Sequence, residues 1–321
     1  MRAIALLAAA ALTACASGSA SAPASTATPL VTSEPLSGRS CRSAQPVPPN
    51  NQLHGIAYGA TQRAYVLSMP PDYDGTRPAP VIFDFYGRGG DAEEQVADFE
   101  LDDEATAAGM LVVTPQAAPD RDPAVNAWAG DVELISVILR ELAQRWCIDR
   151  QAVFVAGFSD GGVFAGYVAC ALPGLFAAVG TVAEVHYPPA CPTDATFSLI
   201  GFHGRSDPLV PFDGGATDAE DGRTGLPGAP VPLPPSQSID ETFAAFAAHN
   251  GCQTDPTVTP VPPDVEHRTY PGCPDGRAVE LYVIADGGHE WPGDPGPEPA
   301  VAGTLDANTL MVRFFLDHRH R

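Results

Sequence analysis

The stretch Val153-Phe154-Val155-Ala156-Gly157-Phe158-Ser159-Asp160-Gly161-Gly162 changes character in its middle. It begins with four apolar residues and nothing polar on either face, the pattern of a strand buried on both sides of a parallel sheet. Glycines then bracket Ser159, and Val163 to Leu172 continues with small and apolar residues at helical length. Strand, tight turn and helix in that order would hold a serine hydroxyl at the point of reversal, clear of backbone on both sides. With 31 glycines in the chain, G-x-S-x-G alone is easily met by chance. The weight therefore rests on the strand before it and the helix after it.

Outward from this turn, apolar runs of strand length alternate with longer amphipathic segments. Arg63 to Met69, Pro80 to Tyr86, Met110 to Thr114, Val179 to Glu184, Phe197 to His203 and Val279 to Ala285 read as strands. Between them Asp131 reads as the N-cap of a helix to Trp146, with Val132, Ile135, Ile138, Leu139 and Leu142 on one face. Ser236 to His249 and Thr304 to His318 read as further helices. This alternation predicts an α/β chain with a mostly parallel sheet and helices on both faces. With the serine turn added, it predicts the α/β-hydrolase fold. Pro208 to Pro235 carries no periodicity and is long for a connection, so it is expected either to cover the site or to be a decorated surface loop.

In that fold an acid and then a base follow the nucleophile, each on a loop after a strand. Asp207 follows Phe197–His203 through Gly204-Arg205-Ser206, whereas Asp213, Asp218 and Asp221 lie further into the irregular loop. Of eight histidines, His54, His186 and His203 come too early. His249 and His267 fall near a helix end and before a strand, and His318 and His320 at the terminus. His289, in Gly287-Gly288-His289-Glu290-Trp291-Pro292 directly after Val279–Ala285, remains as the base. Ser159, Asp207 and His289 thus form a candidate triad, with the acid holding the imidazole that activates the hydroxyl. An oxyanion would be met by the backbone N–H of Asp160 and by a donor from Tyr86-Gly87-Arg88-Gly89-Gly90, with Arg88 as the candidate.

The 321-residue chain carries a formal charge of −22, and its 17 basic residues are all arginine, so nucleic acid and anionic membrane surfaces are not expected partners. Arg2, the apolar Ile4 to Leu12 and Leu12-Thr13-Ala14-Cys15 read as an export leader resembling a lipobox, with Cys15 as the lipidated residue. An ordinary secretory signal cut nearby is the alternative, and either route leads out of the cytoplasm. Any membrane contact is expected only through a lipid anchor at Cys15. Residues 16–40, rich in Ser, Ala, Thr and Pro, read as a disordered tether, leaving 41–321 as the catalytic domain. The remaining cysteines, Cys41, Cys147, Cys170, Cys191, Cys252 and Cys273, suit disulfides in an oxidising compartment, with Cys252 to Cys273 the expected pair. Their spacing fits no zinc site, and no metal or organic cofactor is expected.

Taken together these residues resemble the secreted feruloyl esterases and polyhydroxybutyrate depolymerase-like lipoproteins of the α/β-hydrolase superfamily. The matching segments include Arg63-Ala64-Tyr65, Trp128 to Val132, Cys147-Ile148-Asp149, Gly157 to Gly162, Ala169-Cys170, His203 to Asp207, Val210 to Gly215, Asn250-Gly251-Cys252 and Gly288 to Gly293. The resemblance implies a cofactor-free serine esterase acting on an ester substrate, possibly polymeric. Feruloylated plant polysaccharide is the first class and an aliphatic polyester the second. It also implies that Trp291 borders the substrate cleft. Tyr86 stands where relatives carry histidine, so it is expected to shape the acyl site, and Asp160 stands where asparagine is common. An exported peptidase of the same fold and a noncatalytic lipid-anchored binding protein are the rival readings.

Overall fold

The computed structural model describes residues 41–320 except 42, 43, 45, 49, 119–127, 129–130, 216–235, 262–263 and 294–304. Cys15, the leader and the tether lie outside the described residues, as does most of the irregular loop.

Strand β5 (Ile148–Phe158) runs through the middle of a ten-stranded sheet. It is longer than its apolar centre suggested, starting at Ile148, which pairs with Ala79 ahead of a register shift before Val153. Beside it lie β3 (Ala79–Phe85) and β6 (Ala178–Val182), both parallel to it. Next come β4 (Leu111–Gln116) on one side, and β7 (Ser198–Gly204) and β10 (Val279–Ile284) on the other, all parallel. The flanks turn antiparallel, with β2 (Thr61–Ser68) and β1 (Gln52–Tyr58) at one edge, β9 (Val265–Thr269) and β8 (Thr257–Val261) at the other. The order is β1-β2-β4-β3-β5-β6-β7-β10-β9-β8.

Alternate residues of the central strands feed two separate cores. Val153 and Val155 of β5, with Phe83 and Leu199, face one side, where α3 (Val132–Arg145), α4 (Asp160–Ala171) and α5 (Ile239–His249) pack. Phe154, with Ile82, Ile200 and Phe202, faces the other, covered by α2 (Leu101–Ala107) and α6 (Ala307–Asp317). Burial on both faces explains why these strands read as unbroken apolar runs. A short α1 (Ala92–Phe99) precedes α2 and is capped by Asp91, whose carboxylate accepts from the N–H groups of Glu93 and Glu94.

Asp131 occupies the N-cap position of α3 as expected, but its carboxylate serves another purpose. It takes a two-pronged ion pair from Arg63, Nη1 to Oδ1 at 2.9 Å and Nη2 to Oδ2 at 2.7 Å, inside the protein. Disulfides join Cys41 to Cys147, Cys170 to Cys191, and Cys252 to Cys273, the last as the sequence suggested. Among the described residues no helix is long and apolar enough to cross a membrane.

Candidate active site

Ser159 sits between β5 and α4 with φ 53° and ψ −125°, a conformation a residue with a Cβ adopts only when its surroundings impose it. The surroundings do so by proximity. A Cβ at Gly157 would strike the Gly161 carbonyl, one at Gly161 would strike the carbonyls of Phe85 and Tyr86, and one at Gly162 would strike that of Glu184. The Ser159 N–H donates to the Val182 carbonyl at 2.9 Å, and the Ser159 carbonyl accepts from Gly162 at 2.7 Å. The turn is thereby fastened to β6 on one side and to its own helix on the other.

Asp207 lies just beyond β7 with its side chain fully buried. Oδ1 accepts from the backbone N–H groups of Leu209 and Val210, each at 2.8 Å, which leaves Oδ2 for His289. Nδ1 of His289 is 2.8 Å from that oxygen, and Nε2 is 3.0 Å from Oγ of Ser159. The loops bearing acid and imidazole are joined directly, with Ser206 N–H donating to the Gly287 carbonyl at 3.0 Å and Arg205 N–H to Ile284 at 2.8 Å. The three residues singled out from the sequence therefore form one hydrogen-bonded chain.

His203 stands behind this chain and was invisible as a participant. Its Nε2 donates to the Val210 carbonyl at 2.9 Å and lies 3.7 Å from Asp207 Oδ2. Burial pushes its pKa below the ordinary histidine value, against the pull of Asp207. A neutral imidazole there braces the Asp207 turn and adds no second positive charge beside His289.

The loop after β3 approaches from the other side. A methyl group added at Gly87 would stand 3.2 Å from Cβ of Ser159 and 3.1 Å from the Phe158 ring. Arg88 reaches across to Asp160, Nε to Oδ2 at 2.8 Å and Nη2 to Oδ1 at 3.2 Å.

No family model matches the chain. The putative esterase NocK of Nocardia uniformis subsp. tsuyamanensis is 30% identical over 269 residues, spanning 78% of this chain and 77% of that protein. The probable feruloyl esterase C of Aspergillus oryzae is 30% identical over 254 residues, spanning 75% and 79%. The chain belongs to the feruloyl-esterase-like family of α/β-hydrolases. It is a carboxylic ester hydrolase. The fold is matched independently by the acetyl xylan esterase from Aspergillus awamori, with TM-score 0.55 at 14% identity over 83% of this chain and 99% of that one.

Two residues of this esterase expected at the substrate are instead in its interior. Trp291 is 1% exposed, stacked on Phe99 with ring centroids 4.9 Å apart, and its indole N–H donates to Asn308. Tyr86 is 3% exposed, its hydroxyl accepts from Ala117 N–H at 2.8 Å, and its ring lies 4.7 Å from that of Trp128. Burial pushes the phenol up to about 12, so it stays protonated at any working pH. Each aromatic finds a partner for its polar atom inside the protein, and packing accounts for the burial of both. They hold the loops that carry His289 and Gly87.

Proposed function

We propose that this esterase cleaves carboxylic esters by a two-step acyl-enzyme mechanism, releasing ferulic-type acids from plant polysaccharide outside the cytoplasm. The observation carrying the mechanism is the continuous chain from Asp207 Oδ2 through His289 to Ser159 Oγ, at 2.8 and 3.0 Å. Ser159 Oγ attacks the carbonyl carbon while Nε2 of His289 takes its proton. Asp207, accepting from Nδ1–H, fixes the tautomer and stabilises the imidazolium. The tetrahedral oxyanion is met by the N–H of Asp160 and by a backbone donor of the Gly87-Arg88 loop. The imidazolium then protonates the departing alcohol, and a water activated by the same Nε2 releases the acid.

The substrate class is supported by the named activity of the fungal relatives, among them the Aspergillus oryzae protein. Three disulfides support export. Lipidation at Cys15 extends the same reading, and uptake of labelled palmitate by the native protein but not by Cys15→Ala tests it.

Kinetics on methyl ferulate, a hydroxybutyrate oligomer and p-nitrophenyl acetate test the function. Ser159→Ala is expected to abolish turnover of all three, and Asp207→Asn to lower kcat on the order of 10³- to 10⁴-fold. Methyl ferulate is expected to have the highest kcat/KM. Turnover surviving in Ser159→Ala would overturn the mechanism, and preference for the oligomer or for the aryl ester alone would overturn the substrate class.

A further inference from the structure

Asp160 places a carboxylate one residue from the nucleophile, in the turn where the oxyanion of the proposed reaction forms. At the first position of α4 that charge suits the helix N-terminus. Toward a developing oxyanion it is repulsive, and in a site shielded from water the repulsion is felt strongly. Relief comes from Arg88. Its guanidinium grips both oxygens of Asp160, at 2.8 and 3.2 Å, and the two side chains are only 11% and 10% exposed. Such a pair escapes most of the screening that weakens surface ion pairs.

Arg88 also follows Gly87, where an added Cβ would stand 3.2 Å from that of Ser159, so the pair bridges the two segments that must jointly supply the oxyanion donors. Lysine could neutralise the charge but could not hold both oxygens in one plane. We propose that the Arg88 side chain is a positioning residue for ester hydrolysis, neutralising Asp160 and locking the Gly87-Arg88 loop onto the Ser159 turn. This rests on the Ser159 reading above.

The proposal sets an order among variants that a merely structural ion pair does not. Removing Arg88 alone leaves an unpaired carboxylate beside the oxyanion, so Arg88→Gln is the more harmful single change. Removing the carboxylate as well returns part of the lost rate. In p-nitrophenyl acetate hydrolysis, with active sites counted by an organophosphonate so that misfolded protein is excluded, Arg88→Gln is expected to lower kcat about 30-fold with KM within about twofold. Adding Asp160→Asn is expected to recover about tenfold of that loss. Affinity for a boronic acid, which binds as a tetrahedral anion, is expected to fall and recover in step with kcat. A double variant as slow as Arg88→Gln, or a loss confined to KM, overturns the proposal. Ser159→Ala run alongside separates the two failures: residual turnover there sinks the nucleophile assignment, whereas a dead Ser159→Ala with no recovery in the double variant sinks only the role of Arg88.

Discussion

The indole N–H of Trp291 donates to Oδ1 of Asn308 at 2.8 Å, and Nδ2 of Asn308 donates in turn to the Phe99 carbonyl at 2.7 Å. One amide thus ties the His289 loop to α6 and to the end of α1. Trp291→Phe keeps the ring and removes the donor, leaving Oδ1 of the half-buried Asn308 without its partner at a cost of about 1 kcal/mol. The expected outcome is a lower urea midpoint and a reduced kcat at constant KM, because the displaced loop carries the base and the buried Trp291 acts through it. A loss expressed wholly in KM would return Trp291 to the cleft wall.

Gly87 lies close against the nucleophile, in the loop after β3. A methyl group there meets Ser159 Cβ at 3.2 Å, closer than ordinary contact, and must push the hydroxyl or the loop aside. Gly87→Ala is expected to lower kcat/KM at least tenfold, about 1.4 kcal/mol of transition-state stabilisation, while the melting temperature changes little. The rate of inactivation by an organophosphonate measures the same displacement without turnover.

Asp84 is wholly buried in β3 with Gln95 as its hydrogen-bond partner, at 3.0 and 3.2 Å. Burial pushes its carboxyl from 3.8 up to about 7, Gln95 opposing and the charge of Asp102 adding. The folded state therefore keeps a proton that the unfolded chain releases between those values. Its contribution to stability is full below pH 3.8, declines as pH rises, and is lost above about 7. Asp84→Asn cannot titrate and keeps one oxygen to accept from Gln95. It is expected to raise the melting temperature by roughly 3 °C or more at pH 8 and much less at pH 4.5, read by circular dichroism. Equal gains at both pH values would contradict the raised carboxyl pKa.

What could be read in advance follows from which forces act locally. Val153 to Gly162 announced itself because a strand buried on both faces has no polar option and because the turn tolerates only glycine at its crowded positions. Asp207 and His289 were found by their place after strands, which chain order preserves. Strands β1 and β8 escaped notice since Gln52 to Tyr58 and Thr257 to Val261 are largely exposed and carry little apolar alternation. Trp291 and Tyr86 were misplaced for a different reason. An aromatic beside a catalytic loop looks the same whether it faces inward or outward, and what decides is a partner far along the chain, Asn308 for one and Ala117 for the other. The same holds for Asp131, drawn to Arg63 across 68 positions, and for the grip of Arg88 on Asp160.

The bond between Cys41 and Cys147 has a mechanical meaning. Cys147 immediately precedes β5, in the middle of the sheet, whereas β1 and β2, which follow Cys41 in the chain, form an outer edge. Tension applied from the amino-terminal side of Cys41 therefore bypasses the strand pair that would peel away first. It is delivered through a covalent link to the root of the strand that leads into Ser159, so the chain can be pulled without the load passing through β1 and β2.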